Sequence, residues 1–188
     1  MRCRVAKAVD ADRLTRIFWE HLTARPEYAS HGEMQMGVAD AEGRPAAGGE
    51  GKWRGYIQER IDDADRARVF VSEREGEVDG FAVVEVDEDG DQPFGVVCDL
   101  LVAPGRRGEG VGGALLEAGV AWLRGRGVSG VYLESGIDNR DAHAFFERRG
   151  FREISRVFAL SDGASLFPEG LAEQHQHGED LQPANEHE

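Results

Sequence analysis

A chain of 188 residues, 40% hydrophobic and 31% charged, is long enough for one globular core and short for two. Its 36 acidic against 22 basic residues give a formal charge of −14, which argues against general binding to nucleic acid or an anionic membrane. No apolar run is long enough for a membrane-spanning helix. Two cysteines, Cys3 and Cys98, make no disulfide framework, and the first residues lack the apolar core of a signal peptide, so a reduced, cytoplasmic setting is expected.

In chain order, Arg2–Ala8 alternates like a strand. Asp10 stands where an N-cap would open a helix over 11–24, with Leu14, Ile17, Phe18 and Leu22 on one face. From Pro26 to Gly55 the periodicity vanishes and seven glycines appear, which predicts a long loop with at most a short helical piece. Trp53–Ala64 reads as a second helix. Arg68–Glu73 and Phe81–Val86 read as a hairpin turning through Gly76–Gly80, and Val96–Val102 as a buried central strand. Then follow a Gly-rich turn, a helix over Val111–Arg124, a strand over Val128–Ser135, a helix over Asp138–Arg149 and a last strand over Phe151–Leu160. Antiparallel strands followed by a βαβ unit predict a mixed sheet in an α/β (α+β) fold. One domain is expected over 1–160. Residues 161–188 carry seven acids and no Lys or Arg and are expected to form a disordered tail.

The charge is uneven. Residues 104–149 hold seven arginines and six acids, a local +1 within an acidic chain. That segment opens with Ala103-Pro104-Gly105-Arg106-Arg107-Gly108-Glu109-Gly110-Val111-Gly112-Gly113, set between a buried strand and an amphipathic helix. A helix start offers unpaired backbone N–H groups and a positive dipole end. Glycines let a phosphate approach those amides, and flanking arginines add charge-assisted contacts. The turn is therefore read as a diphosphate site. A literal GxGxxG runs over Gly108–Gly113, which keeps a dinucleotide-binding oxidoreductase among the readings, but it starts too far beyond its strand for that fingerprint. The P-loop pattern fails, because no Lys-Ser/Thr pair follows the glycines.

Leu100-Leu101-Val102-Ala103-Pro104, then Arg107-Gly108-Glu109-Gly110-Val111-Gly112, then Asn139, Ala142, Phe145, Phe146 and Gly150-Phe151 resemble the GCN5-related N-acetyltransferase (GNAT) family over about residues 96–151. The resemblance implies a sheet with two splayed central strands flanked by about four helices, and acetyl-CoA as co-substrate without a metal. It implies that the diphosphate lies on the amides of Gly108, Glu109, Gly110, Val111, Gly112 and Gly113, beside Arg107. It also implies that the pantetheine arm pairs with the backbone at Leu101 and Val102, with Asn139 beside it and Phe146 near the sulfur. The family's usual tyrosine acid falls at Phe146, which cannot donate a proton. A rerouted proton path is therefore expected, and a non-catalytic acyl-CoA-binding module is a second reading.

Transfer to an amine needs a group to take its proton. Asp99, a lone acid in an apolar strand, is the first candidate, and Glu134, closing the next central strand, the second. Cys98 and His143 read as core and solvent-side residues. Trp19, Tyr28, Trp53 and Tyr56 read chiefly as core packing under a roof over the acceptor. With −8 outside the Gly-rich segment and tail, the acceptor is expected to be a cationic amine of a small molecule or a protein, bound under the loop Pro26–Gly55. Nucleic acid and membrane are not expected partners, and a homodimer is left open.

Overall fold

The computed structural model describes residues 1–160, which fall into a unit Met1–Arg152 and the beginning of a second unit at Glu153. The predicted tail over 161–188 lies outside the described residues. In the first unit the order is β1 (Arg2–Val5), α1 (Ala11–Ala24), α2 (His31–Gln35), α3 (Gly49–Asp62), β2 (Ala67–Arg74), β3 (Glu77–Asp87), β4 (Phe94–Val102), α4 (Val111–Gly125), β5 (Val131–Leu133) and α5 (Arg140–Glu147). The strands form one sheet in the order β1-β2-β3-β4-β5, antiparallel through β4 and parallel between β4 and β5. This is the expected mixed α/β architecture.

Both faces of the sheet are covered. Leu14, Ile17, Phe18 and Leu22 of α1 and Trp53 and Ile57 of α3 are buried on one face with Val69, Val71, Phe81 and Val83. Phe18 stacks on Trp53 at 4.3 Å between ring centroids. On the other face Ala82, Val84 and Val86 meet Leu115, Leu116 and Leu123 of α4. β3 is therefore apolar at successive positions rather than alternating, as a strand covered on both sides must be. Each fully buried Leu or Ile contributes about 1.5–3 kcal/mol of transfer free energy.

Several element bounds differ from expectation. The β2–β3 hairpin is tighter than Gly76–Gly80: Arg74 pairs with Glu77 around Glu75-Gly76, whose φ values of 53° and 84° are those of a two-residue primed turn. Val78 and Gly80 join the ladder instead, with Asp79 an extra residue between them. The Pro26–Gly55 stretch is more ordered than its composition suggests, because it holds α2, a bridge between Ala39 and Pro45, and the first turns of α3, with Val38 and Ala39 buried. β5 is three residues where eight were expected. Phe151–Leu160 forms no strand: the Phe151 amide closes the preceding helix on the Phe146 carbonyl at 3.2 Å, and Ile154, Val157, Phe158 and Leu160 are exposed. Alternation alone does not make a strand when no ladder receives it.

Candidate functional site

The site begins with one extra residue. β3 and β4 pair regularly except that Val83 faces Asp99 while Val84 faces Val97, so Cys98 is a bulge in β4. A bulge bends its strand and raises the local twist. β4 pairs with β5 through Gly95–Val131, Val96–Tyr132 and Val97–Leu133, and the pairing stops there although β4 continues to Val102. The two central strands thus part at the bulge. Toward β3, the Ala103 amide bonds the Asp79 carbonyl at 2.9 Å. Along a ladder the backbone groups alternate in direction, so those of Leu101 face Phe81, and those of Leu100 and Val102 face the gap. Of the two residues expected to meet the pantetheine arm with their backbone, Val102 turns its groups to the gap and Leu101 turns its own to β3.

The bulge also decides where Asp99 points. Strict alternation from Val97, which packs on the α4 side, would send Asp99 to that apolar face. The inserted Cys98 shifts the parity, and Asp99 meets α3 instead: the Tyr56 hydroxyl donates to Asp99 Oδ2 at 2.9 Å. Arg60, one turn along α3, lies with its guanidinium 4.1 Å from the Tyr56 ring centroid and donates to Glu85 at 3.3 Å. Asp99 is half-buried. Desolvation and then the Glu33 carboxylate of α2 raise its pKa to about 7, against the opposing effects of the Tyr56 hydrogen bond and Arg60. A carboxylate near 7 is matched to proton transfer at neutral pH. Cys98 is pushed up to about 12, chiefly by desolvation and then by Asp99, so it stays a neutral thiol.

Glu134 lies just past β5, on the other bank of the gap. It is exposed, and its carboxylate accepts the His31 amide at 2.8 Å, with the His31 ring nitrogen at 3.6 Å. It therefore anchors the start of α2. Beside it, Gly136 lies so close to the Tyr28 and Ala29 carbonyls that a Cβ would stand 2.7 Å from the latter oxygen. α2 is thus held to the end of β5 by His31 on Glu134, and its Glu33, whose carboxylate accepts the Ser30 amide at 2.8 Å, is near enough to act electrostatically on Asp99. The stretch predicted to roof the acceptor side is built in this way.

The Gly-rich turn leaves β4 and runs exposed from Pro104 to the start of α4. Gly105, Gly108 and Gly110 have φ of 81°, 82° and 83°, a left-handed conformation that favours glycine. Gly110 caps α4, so the amides of Val111, Gly112 and Gly113 have no acceptor within the helix. Arg107 donates to His21 Nδ1 of α1 at 3.2 Å, and surrounding protein together with that guanidinium holds His21 neutral, with a pKa lowered to about 4. Glu109 pairs with Arg74 at 2.8 Å. Asn139 caps α5 by accepting the Ala142 amide at 3.3 Å, leaving its side-chain nitrogen for another acceptor. Phe146 packs edge-on with Phe145 and Phe151 at 5.2 and 5.8 Å.

These features agree with what comparison with known proteins finds. The model of the acetyltransferase (GNAT) family matches residues 12–151. The chain belongs to that family. It is an acetyl-CoA-dependent N-acetyltransferase. An aminoglycoside N(6')-acetyltransferase type 1 from Stenotrophomonas maltophilia is 33% identical over 106 residues, covering 54% of this chain and 69% of the relative. A mutant of the BH1408 protein from Bacillus halodurans superposes with a TM-score of 0.67 at 20% identity over 86% of this chain and 99% of that one. An aminoglycoside antibiotic 6'-N-acetyltransferase from Acinetobacter haemolyticus gives 0.62 at 15% identity, over 88% and 100%. At such identities the solved structures speak for the fold.

Sequence reasoning found Asp99 but not its partners. Tyr56 reads in the sequence chiefly as core packing, Arg60 only as a member of the second helix, and Glu33 and His31 only as polar residues in a loop. The helical spacing of Trp53, Tyr56 and Arg60 places them near one another, yet nothing local announces that this side of α3 meets the bulge.

Proposed function

We propose that the protein transfers the acetyl group of acetyl-CoA to a primary amine of a cationic small molecule, by direct attack within a ternary complex. The observation that carries this reading is the gap opened at Cys98, with Asp99 on its edge. The outward backbone groups of Leu100 and Val102 suit an amide-bearing arm, which satisfies an open strand edge as a further strand would. The backbone amides of Gly108 to Gly113 and the guanidinium of Arg107 suit a diphosphate. The side-chain nitrogen of Asn139 and the ring of Phe146 are assigned to the arm and its sulfur end.

When bound, the co-substrate supplies an activated acetyl thioester. Asp99 would take one proton from the acceptor ammonium, freeing the nitrogen lone pair to form the new C–N bond as the C–S bond breaks, and the nitrogen would give up its second proton to solvent. Because Phe146 has no hydroxyl, the departing thiolate takes its proton from solvent. Glu134 anchors α2, while Glu33 and Asp99 give the acceptor side a negative field that favours a polycation. The aminoglycoside-acetylating relatives support a small-molecule acceptor over a protein one.

A thiol-release assay with acetyl-CoA across aminoglycosides, polyamines and lysine-containing peptides tests this. Turnover concentrated in polycationic small molecules is expected, with kcat/KM falling as salt rises. Turnover confined to peptide amines would overturn the small-molecule assignment.

A further inference from the structure

We propose that Tyr56 is the positioning residue for Asp99: its single hydrogen bond to Oδ2 fixes the carboxylate across the bulge and leaves Oδ1 to face the acceptor amine. This rests on the reading of Asp99 as proton acceptor. The Tyr56 ring is itself held, tilted against Trp53 at 6.1 Å and covered by Arg60 at 4.1 Å, so the hydroxyl has little freedom to leave. No other hydrogen bond to the Asp99 carboxylate forms among the described residues.

The charged and titratable groups around Asp99 come from four elements. Tyr56 and Arg60 face it from α3 and Glu33 from α2. Cys98 adjoins it on β4, and Glu85 of β3 is tied to Arg60. Tyr56 is raised well above its ordinary value by desolvation and by Asp99, so it remains a protonated donor throughout the working range. A donor that favours the carboxylate opposes desolvation and Glu33, which favour the acid. Tyr56 therefore keeps Asp99 ionisable near neutrality, besides aiming it.

The test is the pH profile of kcat/KM for the wild type, Tyr56→Phe and Asp99→Asn, with a direct carbon NMR titration of the Asp99 carboxyl in the wild type and Tyr56→Phe. Tyr56→Phe keeps the ring and removes only the donor. A hydrogen bond to a charged group of ordinary strength moves the acid limb to higher pH by about 1 unit, giving about a fivefold loss at pH 7 that is largely recovered above pH 9. KM for acetyl-CoA stays unchanged, and the NMR midpoint moves with the limb. A uniform loss at every pH, or an unmoved NMR midpoint, overturns the role of Tyr56 even if Asp99→Asn is inactive. If Asp99→Asn keeps the wild-type profile, Asp99 is not the proton acceptor and the underlying reading fails first.

Discussion

Asp99 holds its proton more tightly in the folded chain than in the unfolded one, where a carboxyl titrates near 3.8. With a folded pKa of about 7, its presence is neutral to folding below pH 4, and stability is lost progressively as pH rises to 7. Above pH 7 the cost is constant. The shift is about three units, which at 1.36 kcal/mol each sets a limit of about 4 kcal/mol, and about half remains because the carboxylate keeps contact with solvent. Asp99→Asn removes the charge while its amide oxygen still accepts from Tyr56. The variant should therefore be more stable than the wild type by about 2 kcal/mol at pH 8, or about 4–8 °C in Tm, and equal to it near pH 4. Urea unfolding followed by tryptophan fluorescence at pH 4, 6 and 8 measures this, alongside the loss of turnover. A stability difference that does not change with pH, or a variant less stable at pH 8, would refute the account of Asp99 as a desolvated carboxylate whose charge costs stability.

Gly136→Ala would drive a Cβ against the Tyr28 and Ala29 carbonyls, costing about 1–3 kcal/mol in chemical denaturation and raising KM for the amine more than for acetyl-CoA, as α2 is displaced. Gly110→Ala puts a side chain at a φ of 83°, so it should cost about 1–2 kcal/mol and weaken CoA binding by calorimetry while leaving the Asp99 titration unmoved. Deleting Cys98 makes the β3–β4 ladder continuous and keeps Asp99 on the α3 side. The chain should fold, yet bind CoA about tenfold more weakly, the worth of one or two neutral hydrogen bonds to an open strand edge.

Much of the fold is legible because its signals are periodic. The spacing of Leu14, Ile17, Phe18 and Leu22 gave α1 to the residue, and the near-continuous apolar run marked β4 as central. The Gly-rich turn was legible because positive φ values restrict the residues that can occupy it. Where a segment's conformation depends on a partner far away in sequence, local pattern fails. Phe151–Leu160 alternates but receives no ladder. α2 lies in glycine-rich sequence, and its start is fixed by Glu134, 103 residues away.

The bulge is the deeper case, since a single residue serves two ends and neither is visible in hydropathy. Read as an ideal strand, Val96–Val102 places Asp99 with Val97 on the α4 face, where a carboxylate would meet only apolar side chains. One extra residue at Cys98 reverses that placement and bends β4 away from β5 at the same point. The gap between β4 and β5 and the placement of Asp99 on the α3 side therefore have a common origin. On the proposed function, deleting the extra residue weakens cofactor binding, whereas removing the Tyr56 hydroxyl alters the proton transfer.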